Sequence, residues 1–191
     1  MGDYALFAIA FFAAAISPGA DTALVLSRAL ESPARAWLSG AGITLAKLVL
    51  LVVSYFGAAA LMEQNPGLIF AVKLLGAAFL SYRALVLWRR TELSSAPKSD
   101  SALADFGIGF ATAFTNPQPL AFYLAIVPQV ASTTDLSVLG LIVIMGFAIV
   151  TLIYASLAVP IRGSLSRTGP GLINRIVAVL LLAVAVWILL R

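Results

Sequence analysis

No cysteine and no histidine occur anywhere in the sequence. The first absence excludes a disulfide framework and a thiolate metal site. The second removes imidazole from any acid–base or metal-ligand scheme. Charge is scarce as well: 10% of residues are charged, against about a quarter in an ordinary soluble domain. What is abundant is apolar surface, 62% of the chain, with a mean hydropathy of +1.05. That balance describes an integral membrane protein. Without His or Cys there is no converging set of acid, base and nucleophile, so the chain is not expected to be an enzyme. No Walker lysine motif is present, and the Gly107-Ile-Gly segment follows no strand, so ATP hydrolysis is not expected and no cofactor is implied.

A membrane span needs about 20 apolar residues. Six segments meet that length: 4–30, 38–62, 67–88, 103–131, 136–160 and 170–190. The first lacks the basic start of a secretory signal and is expected to stay as a membrane helix. Breaks such as Glu63-Gln64-Asn65-Pro66 and Ser132-Thr133-Thr134-Asp135 carry turn chemistry, and the polar stretch 89–102 reads as a linker. The chain therefore divides into a first three-helix unit (1–88), a cytoplasmic linker (89–102) and a second three-helix unit (103–191), together one membrane domain. Arg28, Arg35, Arg83, Arg89, Arg90, Lys98, Arg162, Arg167 and Arg175 all fall on one side of a six-span layout. Asp3, Glu63 and Asp135 fall on the other. The positive-inside rule then places both termini on the periplasmic or extracellular side of an inner membrane. The net charge of +4 is accounted for by topology, and no nucleic-acid partner is needed.

Segments 4–30 and 103–131 are too long for simple spans. Each would be about 40 Å as one straight helix, against a hydrocarbon core of about 30 Å. Each also carries an interruption: Ser17-Pro18-Gly19 in the first, Asn116-Pro117-Gln118-Pro119 in the second. Serine and asparagine are good helix N-caps, and proline suits the first helical position. Each segment thus reads as a half-helix that stops and a second that starts within the bilayer, at Pro18 and at Pro117. Those prolines lie 99 positions apart, and the same shift carries 38–62 onto 137–161 and Tyr55 onto Tyr154. Three spans per half is an odd number, so the halves must be inverted. The expected fold is an all-α polytopic membrane protein of six transmembrane helices, built as two inverted three-helix repeats with a broken helix opening each half, as in secondary transporters.

Two helix N-termini meeting near the midplane make a site for an anion such as a carboxylate. Asp21, one turn into the first restarted helix, could accept an ammonium. A zwitterionic amino acid supplies both groups. Lys47 lies nine residues into the second span, where an unpaired lysine would cost about 2.5–3.5 kcal/mol. Asp21 is its best partner within the membrane. The expected substrate-binding set is Ser17, Pro18, Gly19, Asp21, Thr22, Lys47, Asn116, Pro117 and Gln118, with Asn116 as a cap and Gly19 leaving the backbone open to the substrate. Gln129 reads as structural, and Gly40, Gly42, Gly76, Gly107 and Gly109 as points of close helix approach. A metal-ion or other small-solute transporter on a related fold is the alternative. A hard metal would call for several intramembrane carboxylates, and only Asp21 and Asp105 qualify.

SPGADTALVLSRAL (17–30), with GAG at 40–42, resembles the opening signature of the LysE/RhtB family of lysine exporters and homoserine/threonine efflux proteins. TNPQPLAFYLAIVPQV (115–130) is similar to that family's second signature. The resemblance implies an inner-membrane amino-acid exporter driven by an ion gradient, with the proton as the expected coupling ion. A homodimer stays open as an assembly, and the bilayer is the one obligatory partner. The family often has Asp near position 47. Lys47 departs from that pattern and argues against cationic cargo such as lysine.

Overall fold

Proline, glycine and short polar side chains decide where each helix stops. The computed structural model describes residues 2–64, 66–89, 101–161 and 171–190, and among them all regular structure is helical. Helix α1 (Gly2–Ile16) runs into Ser17-Pro18-Gly19, and α2 (Ala20–Glu31) follows. Ser32 closes α2 in an extended conformation (φ −161°, ψ 140°), as expected of a residue before proline. Pro33 then opens α3 (Pro33–Gln64), five residues earlier than the segment 38–62. Helix α4 is Pro66–Arg89. Ser101 caps α5 (Ala102–Thr115), its hydroxyl accepting from the Ala104 N–H at 3.1 Å. Asn116 alone separates α5 from α6 (Pro117–Val130), and α7 (Leu136–Ile161) and α8 (Gly171–Leu190) complete the chain. A shift of 99 residues carries α1 onto 101–115 and α3 onto 132–163, close to α5 and α7. Residues 90–100 of the expected linker, with Arg90 and Lys98, lie outside the described residues, as do Arg162, Arg167 and Arg191.

Among the described residues, two helices are long and apolar enough to cross a membrane alone, Pro33–Gly57 and Leu136–Ala158; the bent pair α1–α2 makes a third crossing if taken as one span. Their outward faces carry Val53, Phe56, Leu141, Met145 and Leu152, all more than half exposed. A soluble protein would bury such a surface; lipid covers it here.

Contacts at the ends fix helix direction. At one end the Thr133 hydroxyl donates to Asp3 at 2.6 Å, the Tyr4 hydroxyl donates to Asp135 at 3.1 Å, and the Tyr55 hydroxyl donates to the Thr134 carbonyl at 2.9 Å. The start of α1, the far part of α3 and the α6–α7 turn therefore lie together. At the other end Asp105 is fully buried between two arginines. Arg28 Nε is 2.6 Å from its Oδ1, Arg35 Nε is 2.5 Å from its Oδ2, and Glu31 pairs with both guanidiniums. The pair α1–α2 thus runs opposite to α5–α6. Arg28 and Arg35, read from sequence as topology residues, also tie the α2–α3 corner to the first turn of α5.

The interior packs tightly because several helices meet on glycine. A Cβ at Gly42 would overlap the Phe106 carbonyl oxygen, and one at Gly109 would overlap that of Ser39, so α3 and α5 cross backbone to backbone. A Cβ at Gly76 would lie 2.6 Å from the Ala125 methyl, and one at Gly40 2.7 Å from the Thr151 hydroxyl. Gly107 differs from the expectation: it faces open space, because Gly109 already occupies the crossing point two residues on. Phe7, Phe11, Phe122 and Tyr123 form an aromatic cluster between α1 and α6, with ring centroids 6.2 Å apart for Phe11 and Phe122.

Candidate functional site

The first break turns the helix axis by 58° and leaves backbone groups without helical partners. Side chains meet some of that need. The Gly19 N–H donates to the Thr22 hydroxyl at 2.9 Å, which is the returning half of a capping box. The Thr22 hydroxyl donates in turn to the Ser17 carbonyl at 3.1 Å. Beyond the break, the Tyr154 hydroxyl donates to the Ile16 carbonyl, the last of α1, at 2.9 Å. The cap is therefore Gly19 and α2 starts at Ala20, two residues after the start expected at Pro18. Ser17 does not cap. Its hydroxyl is buried and has no hydrogen-bond partner.

The second break follows the expectation. Asn116 caps α6 with its Oδ1, accepting from the Gln118 N–H at 3.0 Å, and Pro117 takes the first helical position. The Asn116 amide also donates to Asp21 Oδ1 at 3.4 Å. Lys47 Nζ lies 2.6 Å from Asp21 Oδ2 and 5.0 Å from the centre of the Phe147 ring. The ion pair expected of Asp21 and Lys47 is thus present, and both side chains are buried. Asp21 does not stand open to a ligand: Lys47 takes one oxygen and Asn116 the other. The carboxylate also sits in the first turn of α2, where the positive end of the helix dipole favours it.

Around this pair lies a small cleft: about 30 Å³ is open to the centre of a water-sized sphere, and the 410 Å³ of empty space around it includes the open mouth. Six of the expected residues line it: Ser17, Gly19, Asp21, Lys47, Asn116 and Gln118. Pro18, Thr22 and Pro117 do not. They act behind the wall, two by interrupting the helix and one by holding the Gly19 N–H. The α2 and α6 N-termini meet at this wall, since a Cβ on Gly19 would lie 3.6 Å from Gln118 Oε1. Gly19 is extended (φ −156°), so its backbone does not demand glycine; the missing side chain leaves space.

Sequence reasoning missed the apolar wall of Phe11, Ala14, Ala15, Pro119, Phe122 and Tyr123. In FYLAIV, Tyr123 reads as one more core aromatic. The signal that sets it apart is visible only in space: it lines the cleft, and its buried hydroxyl has no partner among the described residues. Gln129 is buried too, its amide nitrogen without a partner, but it does not reach the cleft. Among the described residues no three Asp, Glu, His or Cys side chains come together as a metal site.

The chain belongs to the LysE type translocator family, whose model matches residues 12–191. Leucine efflux proteins of Salmonella choleraesuis (strain SC-B67), Salmonella typhimurium and Salmonella typhi are each 27% identical to it over 122 residues. That stretch is 61% of this chain and 58% of each relative, so a little over half the length of these relatives is matched. No solved structure matches the chain.

Proposed function

We propose that this LysE type translocator is a secondary exporter of amino acids with uncharged side chains, driven by an ion gradient across the inner membrane. The observation that carries the reading is the meeting of two helix N-termini at one buried cleft that also holds Asp21 and Lys47. Each N-terminus contributes roughly half a positive charge, and the first turn of α2 adds backbone N–H groups, a suitable seat for a carboxylate; α6 adds no N–H, since Pro117 and Pro119 have none and Asn116 takes that of Gln118. Asp21 is the acceptor for the ammonium. The apolar wall from Phe11 to Tyr123 suits a side chain such as leucine's, and the relatives are named for leucine efflux. Six spans in two inverted halves, α1–α4 and α5–α8, would put this cleft at the midplane, with both termini outside and the Arg28–Arg35–Asp105 cluster at the cytoplasmic end.

Two experiments test the reading. Cells expressing the chain and loaded with leucine from a leucine dipeptide should release leucine faster than vector controls, and Asp21→Asn should remove the difference. Leucine amide keeps the shape but lacks the carboxylate, so it should not be exported. Equal export of acid and amide would show that the helix ends hold no anion. Reporter fusions after Pro97 and Ser166 should read as cytoplasmic, and one after Arg191 as external.

A further inference from the structure

We propose that Lys47 sets the charge class of the cargo: its ion pair with Asp21 leaves the empty cleft with no net side-chain charge and restricts transport to amino acids of no net charge. The inference rests on the exporter reading above and goes on to name the residue that selects. Among the residues lining the cleft, Asp21 and Lys47 are the two that carry charge, and they lie 2.6 Å apart with both side chains at least 89% buried. An unpaired charge in such a place is strongly disfavoured, so whatever enters must leave the charges matched.

A zwitterion does this by inserting into the pair. Its ammonium replaces Lys47 Nζ on Asp21 Oδ2, and its carboxylate takes the released Lys47 together with the N–H groups at the start of α2. Each charge exchanges one opposite partner for another, and the total stays zero. Two further groups are ready for polar atoms of such a ligand. Ser17 and Tyr123 line the same cleft and are 97% and 99% buried; their hydroxyls, with almost no accessible surface, have no hydrogen-bond partner among the described residues. They can accept or donate a hydrogen bond, but they cannot neutralise a charge. A basic amino acid brings a third charge, and no cleft residue answers it. Replacing Lys47 with a neutral residue leaves the carboxylate of Asp21 in surplus, which a cationic side chain would balance.

Norleucine and ornithine have side chains of the same length and differ at the tip, a methyl in one and an ammonium in the other. The test is leucine counterflow into proteoliposomes holding the purified full-length chain, with each of the two as competitor. For the wild type, norleucine should compete and ornithine should need roughly a hundredfold higher concentration, the factor for one uncompensated charge in a membrane interior. In Lys47→Gln that gap should shrink about tenfold or more, while Lys47→Arg should keep it. Equal competition by the two in the wild type overturns the proposal, and that arm needs no variant to fold. So does an unchanged gap in a Lys47→Gln protein that still performs counterflow. Absence of any leucine counterflow by the wild type refutes the exporter reading instead, which keeps the two failures distinct.

Discussion

Asp105 is committed to two arginines at once, and its replacement gives a test that does not depend on transport. Its carboxylate is fully buried and holds Arg28 Nε at 2.6 Å and Arg35 at 2.5 Å. The Arg28 side chain is 2% exposed and that of Arg35 is 21% exposed. Removing one partner of a buried pair costs about 3–5 kcal/mol, mostly because the other charge is left behind. Asp105→Asn keeps the shape and one acceptor oxygen. Arg35 retains Glu31 and some water, so the loss should fall near the lower end, about 3 kcal/mol. Asp105→Ala also opens a void and should reach the upper end, about 5 kcal/mol.

The assay is reversible unfolding in mixed detergent micelles, followed by the fluorescence of the three tryptophans. Combining Asp105→Asn with Arg28→Met removes both halves of the closest pair. The double variant should be more stable than the two single losses predict, by about 1.5 kcal/mol or more. A loss below about 1 kcal/mol for Asp105→Asn, the value of an exposed ion pair, would refute the reasoning and put the cluster in water.

Three further outcomes follow from the cleft and the helix crossing. Asp21→Asn should strand Lys47, and adding Lys47→Met should recover part of the stability; strict additivity in the same unfolding assay would mean that the two do not interact. Asn116→Ala removes a helix cap and a contact to Asp21, so it should cost about 1 kcal/mol and lower leucine export, whereas Asn116→Ser keeps a capping oxygen and should cost less. Gly42→Leu cannot be accommodated where α3 crosses α5, and it should prevent accumulation of folded protein, while the same change at Gly107, which faces open space, should not. Membrane immunoblots and gel filtration in detergent separate those two cases.

The sequence makes the architecture legible because punctuation is strong in a nearly all-apolar chain. Pro18, Pro33, Pro66 and Pro117 stand at or near helix boundaries, and the two breaks mark where α1 and α5 end. The Asp21–Lys47 pair is legible for a related reason: two ionisable groups in apolar segments must find each other or remain at high cost. The true cap of α2 was not legible. Ser17 is the better cap by type, but the Thr22 hydroxyl is taken by the Gly19 N–H, so the helix starts later. Asp105 could be read as a stray intramembrane carboxylate; its two arginines come from a corner some 70 residues away. The aromatic wall was hidden for the opposite reason. In a membrane chain, aromatic and aliphatic residues occur on every face, and periodicity alone cannot separate cleft from core or lipid.

Breaking a helix inside a bilayer exposes groups that lipid cannot satisfy, so each break needs side chains from elsewhere. Here those partners can be traced. Tyr154 from α7 serves the last carbonyl of α1, Thr22 serves the Gly19 N–H, and Asn116 serves the Gln118 N–H while also holding Asp21. The hydrogen-bonding capacity left over is not spread at random. Two of the buried side-chain atoms without partners, the hydroxyls of Ser17 and Tyr123, belong to residues that line the cleft. An unmet hydroxyl in a buried place is destabilising unless something supplies its partner part of the time. The breaks therefore do more than bend the chain. They bring an ion pair, two helix ends and two residues with unsatisfied hydroxyls to one apolar wall, and it is on this gathering that the proposed zwitterion site rests.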